Sequence, residues 1–123
     1  MKYLDLKLLL LLVIILLFGI KATSQEFLTA ENFEDKTAKD IVAVEFWVEL
    51  YLYISIKFCD HRVDIGKYPE LQKEYKVTCI PTVIIFESGE EKERFKANIM
   101  FQLDASKKDV QESIDQLMIA KFN

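Results

Sequence analysis

Cysteine, histidine and excess positive charge are what this 123-residue chain has least of. Its two cysteines, Cys59 and Cys79, are too few for the disulfide scaffold that holds small secreted domains together. Its one histidine, His61, needs further ligands to hold a metal, and none cluster near it in the sequence. No metal is expected, and a solvated or strand-face histidine is the simpler reading. No cysteine follows the N-terminal apolar run, which argues against a lipid-anchored protein. Repeats and low-complexity tracts are absent outside that run.

What is present begins with the run itself. Lys2 and Lys7 lead into unbroken apolar sequence from Leu8 to Ile20, and Ala22, Thr23 and Ser24 supply small residues after it. That is the layout of a secretory signal, shorter than the about 20 residues a spanning helix wants. The expected division is a signal peptide at 1–24 and a domain at 25–123, exported to a periplasm or the exterior. The alternative is an uncleaved anchor that recruits Leu4 and Leu6 into a tilted span, the one case in which a membrane is a partner. Removing residues 1–24 leaves 13 basic against 19 acidic residues, six charges negative. Such a surface repels phosphate backbones and anionic lipid, so no nucleic acid partner is expected.

Within the domain, Phe27 and Leu28 suggest a short strand, and Thr29 stands where a helix cap belongs, ahead of a helix to about Asp40. Ile41 to Trp47 is apolar on both faces except at Glu45, the pattern of a central strand. Phe58 to Ile65 reads as the next strand, with Cys59 at its start. Pro69 then opens a helix through Tyr75, with Leu71 and Tyr75 on one face. Thr82 to Phe86 is a third buried run, and Ser88-Gly89 turns it into a charged strand from about Glu91 to Lys96. Ser106 and Asp109 form a capping pair before a helix whose apolar positions are Val110, Ile114, Leu117 and Met118. The alternation predicts an α/β sandwich, a mixed central sheet with flanking helices.

Val63 to Thr82 (VDIGKYPELQKEYKVTCIPT) resembles thioredoxins, with its V-D-I strand end, helix-opening proline, late tyrosine and I-P-T before a buried strand. VEFW at 44–47 looks like the thioredoxin strand ending in acid, Phe and Trp, and FESGEEKERF like its hairpin. The resemblance spans nearly all of 25–123 and implies a thioredoxin-like fold. It also implies that the bond before Pro81 is cis, and that Trp47, Ile80, Pro81 and Thr82 border a surface holding an extended peptide or protein.

The resemblance breaks after Trp47. Thioredoxins place C-G-P-C there, because a helix N-terminus stabilises the attacking thiolate. This chain continues VELYLYISIK. Only residues 48–57 separate Trp47 from the expected strand at Phe58, fewer than the dozen a parallel crossover usually needs. The expectation is a shortened helix after the second strand, or an antiparallel pairing of the two strands.

Cys79, beside Ile80-Pro81, is the one candidate catalytic residue. It is capable of a mixed disulfide but lacks a resolving cysteine; the plainer reading is a small loop residue. Cys59 and Cys79 are expected at opposite ends of the sheet, about 15 Å apart or more, beyond the about 7 Å between Cα atoms that a disulfide spans. Glu45 matches the buried acid beneath the dithiol of thioredoxins and, without a dithiol, is read as a retained buried carboxyl that resists ionisation. No cofactor is expected, since Tyr51 and Tyr53 read as core or groove lining. Two functions follow: a non-catalytic module that binds protein or peptide, and a thiol-disulfide oxidoreductase acting through Cys79 alone.

Overall fold

The computed structural model describes residues 2–17, 26–49, 59 and 61–122. The elements run α1 (Lys2–Leu17), β1 (Glu26–Leu28), α2 (Phe33–Thr37), β2 (Ile41–Trp47), β3 (His61–Asp64), α3 (Pro69–Glu74), β4 (Thr82–Glu87), β5 (Glu90–Lys96) and α4 (Lys107–Lys121). The five strands form one sheet in the order β1-β3-β2-β4-β5. β1, β3 and β2 are parallel; β4 runs antiparallel to β2, and β5 antiparallel to β4. This is the mixed sheet expected.

Alternation along the strands sorts side chains onto two faces. On one face Val44, Phe46, Val63, Ile84 and Phe86 pack with Leu28, Phe33 of α2 and Leu71 of α3. Phe33, Phe46, Phe86 and Tyr75 form a ring cluster with centroids 4.8 Å apart for Phe33–Tyr75 and 5.8 Å for Phe33–Phe46. Such pairs contribute about 0.5–1.5 kcal/mol each beyond area burial. On the other face Val83 and Ile85 meet Cys59 and Val110 of α4. Ile114 and Leu117 pack against that cluster, whereas Met118 stays 46% exposed, so the buried stripe of α4 is narrower than its sequence pattern.

Local chemistry sets the element ends. Thr29 works one turn earlier than expected: its Oγ1 accepts from Asn32 N–H at 3.3 Å, Asn32 Oδ1 accepts from Thr29 N–H at 2.7 Å, and Asn32 is the residue that caps α2. α2 stops at Thr37, before Asp40, whose φ of 58° is left-handed. The carbonyls just past the end of α3 are taken by Arg94 of β5, which donates to Tyr75 O at 2.6 Å and to Lys76 O at 3.1 Å. Ser106 and Asp109 form a full capping box on α4.

β3 starts at His61 and not at Phe58, leaving Cys59 outside the strand. Residues 48–60 therefore separate two parallel strands, which meets the dozen or so residues that such a crossover needs and excludes the antiparallel alternative. The expected shortened helix falls largely on residues 50–58, outside those described, as does the expected cleavage point after Ser24. In α1 the side chains from Asp5 to Leu17 are exposed. Among the described residues no helix is long and apolar enough to cross a membrane.

Candidate functional site

The sheet topology gathers four chain segments at one edge. The parallel strands β2 and β3 end there, at Trp47 and Asp64; β4 begins there, and β5, antiparallel to β4, ends there. Val48, Ile65-Gly66, Thr78-Cys79-Ile80 and Ala97, Asn98, Ile99 and Phe101 thus come together around a cavity of about 480 Å³, completed by Gln72 and Val77 of the α3 region. That volume lies in the range of small-ligand and side-chain pockets. None of its described lining residues is charged.

The walls of this cavity are tightly set. Gly66 N–H donates to Asp64 Oδ1 at 2.8 Å, and a Cβ at Gly66 would stand 3.0 Å from that oxygen and 3.3 Å from Val48 Cγ1. Thr82 Oγ1 donates to Cys79 O at 2.7 Å, folding the turn back onto β4. The Ile80–Pro81 peptide between them is cis. Pro81 and Thr82 are buried, so they form the backing of the wall, while Cys79 and Ile80 are half-exposed on its surface. Among the described residues the backbone of Ile80 takes part in no hydrogen bond.

Trp47 does not line this cavity. It is 6% exposed and faces a second cavity of about 370 Å³ with Phe27, Arg62, Asp64, Lys67 and Tyr68. Glu45 is fully buried, as its strand position implies, but it is not a lone carboxyl: Arg62 Nε lies 3.2 Å from Glu45 Oε2, with the two side chains 5% and 0% exposed. The guanidinium stacks 4.0 Å from the Trp47 ring centroid and 5.9 Å from that of Phe27. Pairing explains how two charges are tolerated here, since an isolated buried ion is strongly disfavoured. Arg62 was not legible as a site residue because nothing in FCDHRVDI shows that the β2–β3 register sets it opposite Glu45.

The two cysteines lie in different surroundings. Cys59 is buried in the α4-side cluster and lines a separate cavity with Ile41, Ala43 and Val110. Cys79 is part of the 480 Å³ cavity wall, its Sγ 3.7 Å from Thr82 Oγ1. No group of three or more potential metal-ligating side chains occurs among the described residues. Sequence reasoning also passed over Asn98 to Gln102, although three apolar residues in a row between a charged strand and a helix cap were a usable signal.

No family model matches the chain, and no curated protein matches it in sequence. Solved structures do match. A point-mutant thioredoxin from Halobacterium salinarum superposes with a TM-score of 0.58 at 15% identity, over 80% of this chain and 94% of that one. The oxidised thioredoxin of Plasmodium falciparum gives 0.56 at 16% identity, over 76% and 98%. The thioredoxin of Malassezia sympodialis gives 0.54 at 17% identity, over 76% and 90%. At such identities the likeness establishes the fold: this chain carries a thioredoxin fold without a paired-cysteine motif.

Proposed function

We propose that this thioredoxin-fold chain is an exported, non-catalytic binding module that holds an extended segment of peptide or protein at the edge bordered by Cys79 and Ile80. Pro81 and Thr82 back that edge, and Trp47 closes the neighbouring end of the sheet. The observation that carries the reading is the separation of the two thiols: Cys79 stands in the cavity wall, and Cys59 is buried in the cluster on the α4 side. Disulfide exchange needs a resolving thiol to release the mixed disulfide formed by the first, and the chain has no third cysteine to supply one. Non-covalent capture needs only the pocket and an unpaired backbone edge. Export is supported by Lys2, Lys7 and the apolar run from Leu8; N-terminal sequencing of material from outside the cytoplasm is expected to begin at Gln25.

The second reading, exchange through Cys79 with a cysteine lent by a partner, is favoured by the partial exposure of that thiol in the cavity wall. An insulin-type disulfide reduction assay on the full chain beside Cys79→Ser separates the two. Negligible turnover in both proteins is the expected result. Turnover of about 1 per second or more, an ordinary enzymatic rate, that disappears in Cys79→Ser replaces the binding reading with the catalytic one.

A further inference from the structure

The parallel strands β1, β3 and β2 end side by side, at Leu28, Asp64 and Trp47, and all three of these residues line the cavity of about 370 Å³. Open α/β sheets place ligands in such a crevice, at the carboxyl ends of parallel strands. Asp64 is the group there that the fold does not account for. It is 9% exposed and enters no ion pair among the described residues, and its side chain makes one hydrogen bond, from Gly66 N–H to Oδ1 at 2.8 Å. Its Oδ2 accepts none and is not sealed from solvent. An asparagine would close the same two-residue turn, so the turn calls for an oxygen there and not for a charge. A largely buried carboxylate without a cation is disfavoured, and a cation entering the cavity would relieve it.

The neighbouring cations are engaged elsewhere. Arg62 Nε lies 3.2 Å from Glu45 Oε2, and its guanidinium stacks on Trp47. Lys67 Nζ stands 3.8 Å from Glu49 Oε2 at the rim, in a pair whose side chains are both exposed and which contributes little. With Glu45 counted behind Arg62, three acidic side chains face two basic ones, so an anion is the poorer occupant. A metal ion fits no better: no third carboxylate, histidine or thiol joins Asp64 and Glu49 among the described residues. The rest of the wall is aromatic. Phe27 is 59% exposed on its edge strand, its ring centroid 6.3 Å from that of Trp47, and Tyr68 is half-buried. Such rings receive both the flat face of another ring and the charge of an ammonium group.

We infer that this cavity is a binding site for a small aromatic ammonium ion, its nitrogen donating to Asp64 Oδ2 and its ring packed against Phe27 and Tyr68. The cavity is separate from the one bordered by Cys79 and Ile80, so either reading stands or falls without the other.

Trp47 is the only tryptophan of the chain and lines the cavity, so its fluorescence reports occupancy. The test titrates the full chain in dodecylmaltoside micelles at pH 7 with benzylammonium, benzyl alcohol, benzoate and methylammonium. Benzylammonium is expected to saturate the Trp47 signal and to bind at least about tenfold tighter than each of the other three, which lack either its charge or its ring. Asp64→Asn, which keeps an acceptor for Gly66 N–H, is expected to hold its fold and lose the advantage of benzylammonium over benzyl alcohol. Phe27→Ala, at an exposed position, is expected to lose the advantage over methylammonium without changing the unfolding midpoint, and it keeps the test open should Asp64→Asn fail to fold. Equal binding of benzylammonium and benzyl alcohol by wild type would overturn the inference, as would tighter binding of benzoate or no saturation by about 10 mM. Wild-type affinity for benzylammonium in a folded Asp64→Asn, or in Phe27→Ala, would overturn it as well.

Discussion

One face of the sheet buries Val44, Phe46, Val63, Ile84 and Phe86 beneath α2 and α3; the other carries Val83 and Ile85 beneath α4 and also, along β2 and β3, the Glu45–Arg62 pair. The same two strands supply both, because successive residues point to opposite sides. The first face is held by volume and ring contacts, which tolerate small shifts. The second is held partly by a pairing that exists in only one register. Sliding β2 past β3 by one residue would carry Glu45 into the aromatic cluster and Phe46 opposite Arg62. A slip thus destroys both faces at once, and the pair and the apolar face specify the same alignment.

Substitutions on adjacent residues break this comparison open. Phe46→Ala removes a fully buried ring from the aromatic cluster and is expected to cost about 3–5 kcal/mol in urea unfolding. No second change is expected to restore it short of refilling the volume. Arg62→Met is expected to cost a comparable amount, about 3–5 kcal/mol, for a different reason: it removes the guanidinium that lies 3.2 Å from the buried Glu45 carboxylate. Here a second change does restore stability. Glu45→Leu combined with Arg62→Met should return to within about 1 kcal/mol of wild type, since apolar replacement of a buried pair is often neutral or better. A double variant as unstable as Arg62→Met alone would mean that the stacking of Arg62 on Trp47, and not its charge, is what the face requires.

The contrast also marks how far sequence reasoning reaches. The apolar face was legible because it writes itself as runs: IVAVEFW and TVIIF became β2 and β4 with their ends nearly where the pattern set them. The capping box was legible because Ser106 and Asp109 are three apart, a distance that depends on the helix alone. Glu45 was visible as a buried acid, but its partner was not. Which residue of β3 stands opposite it depends on register, a property of two strands together. The start of β3 was misjudged for a related reason: FCD continues the strand-like composition, and only the pairing shows that the ladder begins at His61. The cavity belongs to this second class, being assembled from four segments distant in sequence. Ile99 and Met100 were not legible because the turn that exposes them is set by hydrogen bonds to the Asn98 side chain, which composition does not show.

The smallest expected effect concerns what holds the roof of the ionic face. α4 fully buries only Val110, so its start depends on the capping box more than α2 and α3, anchored by Phe33 and Leu71, depend on theirs. The hydrogen bond from Ser106 N–H, followed by that from its hydroxyl, holds the Asp109 carboxyl below its usual 3.8. Just above the folded pKa, therefore, the unfolded chain takes up a proton that the folded one refuses, and acidification favours unfolding. The contribution is fully present above the ordinary carboxylate range and disappears as pH falls through the folded value. Glu26, held low by its hydrogen bond from Lys36 and then by the charges of Lys36 and His61, acts in the same direction, so the acid response of the wild type alone does not isolate the cap. Asp109→Asn does. The stability difference between wild type and Asp109→Asn, measured by thermal unfolding from pH 7 downward, is expected to stay level to about pH 4 and then shrink towards zero. A difference that stays level through strong acid would show that the cap works as a neutral hydrogen bond and not through the charge of Asp109.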